Sequence, residues 1–278
     1  MNRRQDVAPP APAHPSGGPA GTAQYRNPAR LDARIRLHRD FATSSVPWYA
    51  WVFDRIVART PEVAAVLEVG AGTGALWTHN YDRLPPAWWV WLTDVESNMV
   101  RGLRHALDGA PQVTVAEADA ADLPLGPGSF DTLVANHMLY HLPDPSAALG
   151  ELARVLRPGG TLLAATNGPS HLTELYALVE ARLPEPADDV RAPRAEFGLD
   201  DGGALVGRHF SDVRLERYDD ALGVTDAGPL LDYVRSLPLD ALTEHHIADI
   251  GDEVRAVIAR DGAVAVTKDV GLFTAVAG

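Results

Sequence analysis

Val66-Leu67-Glu68-Val69-Gly70-Ala71-Gly72-Thr73-Gly74 carries the sharpest structural signal in the chain. An apolar run leads straight into three glycines spaced G-x-G-x-G, and the pattern predicts a helix from about Ala75. Glycine has no Cβ, so the backbone can turn tightly there and a ligand can approach the main chain. A helix start behind the turn would add unpaired N–H groups. Working outward, short apolar runs recur at Ala64–Val69, Trp88–Thr93, Gln112–Glu117, Asp131–Ala135 and Thr161–Thr166. Helical segments lie between them, for instance Pro145–Leu156, with Leu149, Leu152 and Leu156 on one stripe and Arg157-Pro158-Gly159-Gly160 as its stop. Strands alternating with helices imply a parallel sheet covered on both faces.

The flanks read differently. Residues 7–23 hold Pro, Gly, Ala and Ser with no large apolar side chain, so residues 1–23 are expected to form a flexible arm. Residues 24–62 are expected to form N-terminal helices, one after Asn27-Pro28 with Leu31, Ile35 and His38 at helical spacing, a second after Pro47. Residues 63–278 form the expected core, with helical lid insertions near 170–210 and 226–260. A helix over Ser170–Leu183 precedes a Pro-rich connector, Pro184–Pro193. Val213–Tyr218 and Gly262–Ala277 read as two closing strands, separated by helices around Gly228–Ser236 and Leu239–Arg260.

Composition removes whole classes. The 278 residues include 24 Lys+Arg against 37 Asp+Glu, a formal net charge of −13, and no cysteine. Disulfide scaffolds, thiolate metal sites and cysteine nucleophiles all need residues this chain lacks. The negative charge disfavours nucleic acid as partner. No apolar run is long enough to span a membrane, and the start lacks the apolar region of a secretory signal. A cytoplasmic location is the expectation. No cluster has metal-ligand spacing.

Two acids flank the glycine turn. Glu68 lies on the strand before it, and Asp94 follows Gly74 by 20 residues, at the end of the next strand. That interval suits a carboxylate that accepts from ribose hydroxyls; Asp94 could instead cap a helix starting near Ser97. Dinucleotide sites usually show G-x-G-x-x-G with the helix facing a pyrophosphate. An acid at Glu68 is unfavourable beside phosphate and favourable beside a cation, which points to S-adenosylmethionine.

With these residues in view, the chain resembles the class I S-adenosylmethionine-dependent methyltransferases, in particular the small-molecule branch that includes quinone-biosynthesis enzymes. Glu68–Gly74 is similar to motif I, and Asp94-Val-Glu-Ser-Asn-Met99 to the acidic strand end and its continuation. Asp119-Ala120-Ala-Asp-Leu123-Pro124 resembles the adenine-binding turn, Phe130–His141 motif IV, and Arg154–Gly160 the segment before the fifth strand. Residues 64–168 carry the likeness. It implies an α/β, Rossmann-like mixed sheet of seven strands, six parallel and one antiparallel, with helices on both faces. It also implies S-adenosyl-L-methionine as cofactor and S-adenosyl-L-homocysteine as product. Glu68, Gly70, Ala71 and Gly72 would line the methionine part, with Asn136 and His137 closing that side. Asp94 would hold the ribose, Val95 or Met99 would touch the adenine, and Asp119 and the Ala120 N–H would pair with its edge. Asp119 could alternatively act only as a cap.

The acceptor side is less defined. His137 and His141 are candidate bases and Tyr140 an orienting hydroxyl, with Tyr25 as a further candidate. Tyr25, Phe41, Trp48, Tyr49 and Trp51 precede the core and could either wall an aromatic or apolar acceptor or simply pack the helices. Trp88, Trp89 and Trp91 are expected in the core. The expected activity is methyl transfer to N, O or C of a small molecule, in bacterial specialised metabolism; a cyclase or isomerase on the same fold is the alternative. The N-terminal helices could pack on a neighbouring subunit.

Overall fold

The computed structural model describes residues 28–183, 197–239 and 241–278. The N-terminal arm, Tyr25 and the connector Pro184–Pro193 fall outside the described residues.

Helices α1 (Pro28–Phe41) and α2 (Trp48–Arg59) come first. Pro28 opens α1, where its missing N–H costs nothing. Then β1 (Ala64–Val69), α3 (Ala75–Thr78), β2 (Trp88–Asp94), α4 (Ser97–Ala106), β3 (Val113–Glu117), β4 (Phe130–Asn136), α5 (Pro145–Val155) and β5 (Leu156–Asn167) build one half of a sheet. After α6 (Thr173–Glu180) and α7 (Gly202–Val206) come β6 (Phe210–Tyr218) and β7 (Ala221–Val224). The chain closes with α8 (Ala227–Ser236), α9 (Glu244–Asp261), β8 (Val264–Thr267) and β9 (Val270–Ala277).

Seven strands form one sheet in the order β3-β2-β1-β4-β5-β9-β6. β9 runs antiparallel to both β5 and β6, so six strands are parallel and one is reversed. β1 lies between β2 and β4, and the order reverses there, so the ends of β1 and β4 diverge and leave a crevice. The sequence-based expectation of a mixed seven-strand sheet therefore holds.

Several details differ from it. The helix behind the glycine turn has only four residues, and the chain passes on into a 3-10 turn at Tyr81–Arg83; Thr78 Oγ1 donates back to the carbonyls of Gly74 and Ala75. The Arg157-Pro158-Gly159-Gly160 segment ends α5 but already belongs to β5, with a register shift between Phe130 and Thr132. The closing run from Gly262 is two strands, broken at Lys268-Asp269. The partners of those two side chains are Asp220 and Arg217, about fifty residues away. Of the three tryptophans on β2, Trp88 is buried but Trp89 is 49% exposed, since successive side chains face opposite sides of a strand.

The two N-terminal helices enter different cores. Trp51, Val52, Phe53 and Ile56 of α2 pack with Trp77, Trp88 and Val90 against one face of the sheet. Leu37 of α1 joins Leu175, Leu230, Ile250 and Leu222 in a separate cluster built by α6, α8, α9 and the β7–β8 pair. No helix among the described residues is long and apolar enough to cross a membrane.

Candidate active site

The carboxyl ends of β1 to β4 converge on a cavity of about 630 Å³, a size ordinary for a small-molecule site. Beyond β1 the turn is rigidly tied: Ala71 N donates to Thr93 O at 2.9 Å and Gly74 N to Ala71 O at 2.9 Å. Gly70 and Gly74 both have φ in the left-handed region, +62° and +73°. A Cβ at Gly70 would lie 2.7 Å from Met138 Cβ, and one at Gly74 would lie 2.5 Å from Leu103 Cδ2. Only glycine satisfies both the backbone and the contacts at these positions. Gly74 thus serves the packing of α4, whereas Gly70, Ala71 and Gly72 line the cavity.

Glu68 is 2% exposed. Trp77 Nε1–H donates to its carboxyl group. Burial pushes its pKa up to about 8, with the Trp77 bond opposing and nearby Asp94 adding to the rise. Asp94 ends β2, 8% exposed, accepting from Gly72 N and from Glu96 N, each at 2.9 Å. Burial raises its pKa and the backbone donors oppose that rise. One oxygen of Asp119 accepts from Ala121 N at 2.9 Å, a local turn beyond β3. At the end of β4, Asn136 Oδ1 is buried with no hydrogen-bond partner, and His137 takes a left-handed backbone with φ of 57°.

Every residue expected on the cofactor side lines this cavity: Glu68, Gly70, Ala71, Gly72, Asp94, Val95, Met99, Asp119, Ala120, Asn136 and His137. Tyr140 and His141 line it too; Tyr25 lies outside the described residues. Of the N-terminal aromatics, Trp48 and Tyr49 reach the cavity. Trp51 is buried behind them, stacked on Trp48 at 5.4 Å, and Phe41 packs on the second cluster.

The far half of the cavity was not legible beforehand. It adds Arg34 and His38 from α1, His171, Tyr176, Tyr233 from α8, and Lys268. His38 stacks on His171 at 5.6 Å, and His137 lies 5.1 Å from Trp48, centroid to centroid. Burial lowers the pKa of His137 to about 4 and those of His38 and His141 to about 3, so all three are neutral at pH 7. Sequence spacing gives no hint of this group, because it is drawn from segments as far apart as α1 and the β8–β9 break. Among the described residues no group of three or more His, Asp or Glu is placed to hold a metal ion.

The residues fit S-adenosylmethionine. A buried amide oxygen lacking a donor and a buried carboxyl group both suit a cationic amino acid moiety, and an unpaired buried acceptor costs about 1–3 kcal/mol until it is met. The sheet order and the cavity at the strand ends agree with the fold that the resemblance to class I S-adenosylmethionine-dependent methyltransferases implies.

Residues 67–164 match the family described as a methyltransferase domain. The malonyl-[acyl-carrier protein] O-methyltransferase of Geobacter sulfurreducens is 36% identical over 162 residues, covering 55% of this chain and 60% of that protein. The ubiquinone/menaquinone biosynthesis C-methyltransferase UbiE of Bordetella avium is 36% identical over 117 residues, 42% of this chain and 45% of its own. The chain thus spans about half the length of these curated relatives. A solved S-adenosylmethionine-dependent methyltransferase of Aquifex aeolicus shares the fold, with a TM-score of 0.52 at 15% identity over 90% of this chain and 98% of that one.

Proposed function

We propose that this protein transfers the methyl group of S-adenosylmethionine to O, N or C of a small molecule in bacterial specialised metabolism. The reading rests on one observation: a single cavity joins the Glu68–Asp94–Asn136 set to a chamber of neutral histidines and aromatic rings. When bound, the cofactor supplies an electrophilic methyl group on a sulfonium. Glu68, Gly70, Ala71, Gly72 and Asn136 hold its methionine end, and Asp94 accepts from the ribose hydroxyls. Val95 and Met99 flank the adenine, while Asp119 and the Ala120 N–H read its edge. In-line transfer depends first on alignment, which Trp48 and Tyr140 provide on the acceptor side. His137, neutral and at the junction of the two halves, takes the proton where the nucleophile must lose one; His141 ends the short 3-10 turn Leu139–His141 that follows.

The test uses the full chain, S-adenosylmethionine labelled in its methyl group, and a panel of phenols, carboxylic acids and amines. S-adenosylhomocysteine formation together with label in one acceptor class is expected. A folded protein that binds neither adenosyl ligand would sink the proposal.

A further inference from the structure

Charge is segregated within the cavity. Its four lining carboxylates, Glu68, Asp94, Glu96 and Asp119, all stand at the ends of β1 to β3. The opposite half has no lining carboxylate among the described residues and instead presents Arg34, Lys268 and the neutral histidines. In a chain of net charge −13, composition alone does not produce this.

Lys268 is the centre of the basic half. Its side chain is 5% exposed and bonds to Asp220, whose side chain is fully buried and lines no part of the cavity. Asp220 Oδ1 also accepts from three backbone donors, Thr43 N at 2.9 Å, Ser44 N at 2.8 Å and Ala221 N at 2.9 Å. The ammonium is therefore the cavity-facing end of the pair. Consistently, Lys268 lowers the pKa of His38 more than Asp220 raises it, and it also lowers that of His137. Lys268 Nζ lies 5.2 Å from the Tyr218 ring centroid, and the Trp48 ring packs on the same tyrosine at 5.2 Å. The Trp48 Nε1–H is buried and has no acceptor. Indole N–H can only donate, so a ligand that meets it must bring a hydrogen-bond acceptor. Arg34, whose guanidinium donates to Ser236 Oγ and O, each at 2.9 Å, and Lys268 would both face a cationic acceptor molecule, with no carboxylate among the described residues lining that half to offset them, a costly arrangement in a buried site.

We propose that this half of the cavity takes an anionic methyl acceptor, a flat aromatic or extended apolar molecule whose carboxylate sits against Lys268 and the indole N–H of Trp48. The assignment rests on the methyl-transfer reading and names the substrate class of that site. Charge-assisted bonds from a buried ammonium orient the acceptor and leave its apolar frame among the aromatic rings.

The test loads the full chain with S-adenosylhomocysteine and titrates it with benzoate, cinnamate and indole-3-acetate, each against its primary amide. The acids are expected to bind about tenfold or more tightly than the amides. Equal binding, preference for the amides, or no binding of any acid overturns the proposal. Lys268→Met combined with Asp220→Asn removes both buried charges together, so no lone carboxylate remains to unfold the chain. The acid preference is expected to fall below about threefold in that variant, with S-adenosylhomocysteine affinity retained, and to persist in Lys268→Arg. An undiminished preference in the double variant overturns the assignment to Lys268. Failure of S-adenosylhomocysteine to bind counts against the methyltransferase reading, whereas binding without acid preference counts against the anion alone.

Discussion

The backbone N–H of Gly72 donates to Asp94 Oδ2 at 2.9 Å, joining the glycine turn to the end of β2. The other carboxylate oxygen accepts from Glu96 N at 2.9 Å. The carboxylate thus shapes the turn while keeping acceptor capacity, since each oxygen has two lone pairs. Asp94→Ala is expected to weaken S-adenosylhomocysteine binding by roughly 10–150-fold, the loss of about 1.5–3 kcal/mol for a charge-assisted bond. It also removes two backbone partners, so the melting temperature falls. Near-normal affinity by calorimetry would reduce Asp94 to a backbone tie.

The glycines separate binding from packing. Gly74→Ala places a methyl group 2.5 Å from Leu103 Cδ2 in a left-handed conformation, and Leu103 is fully buried. A destabilisation of about 2–4 kcal/mol is expected, read by denaturant unfolding, with cofactor affinity largely kept in the folded fraction. Gly72 lines the cavity and also has a left-handed backbone, φ +56°, so Gly72→Val is expected to lose cofactor affinity and to lower stability as well.

Glu68 makes stability and binding respond to pH. An exposed glutamate titrates near 4.5, whereas burial raises Glu68 to about 8. Between these values the native state holds a proton that the unfolded state has released. Its contribution to stability is therefore full below about pH 4.5 and lost progressively up to about pH 8. Glu68→Gln should flatten this decline in thermal scans. A cation beside Glu68 favours the ionised form, so S-adenosylmethionine binding at neutral pH should release about one proton, measured by calorimetry in buffers of different ionisation enthalpy. Equal proton release in wild type and Glu68→Gln would exclude this role.

His137 gives a second pH signature. Burial and Lys268 hold its pKa down, to about 4 from the usual 6.5. If the neutral ring is the proton acceptor, methyl transfer should stay level as the pH falls to about 5 and drop only near 4. A limb centred near 6.5 that disappears in His137→Gln would show a ring far more solvated than this structure has it.

Much of the sheet was legible because its signals are local. The Glu68–Gly74 turn, the apolar runs and the Pro145–Leu156 stripe each lie within a dozen residues. The cofactor half was legible for the same reason, each contact lying at or just beyond a strand end. The acceptor half was legible only in part: Trp48, Tyr49, His137, Tyr140 and His141 stand out as an aromatic run and the end of motif IV, whereas Arg34, His38, Tyr233 and Lys268 come from distant segments and look ordinary in isolation. The Lys268-Asp269 break has no local signature either, since the partners of Thr267, Lys268 and Asp269 are Glu174, Asp220 and Arg217, all outside the strand. The split of α1 and α2 between two cores was equally hidden, since both helices show only an apolar stripe.

The most direct test of the central claim is calorimetric titration of the full wild-type chain with S-adenosylhomocysteine, alongside Gly72→Val. Binding at one site per chain, abolished by Gly72→Val in a protein that still unfolds cooperatively, is the predicted result. No binding to folded wild-type protein, or equal binding to Gly72→Val, would contradict it.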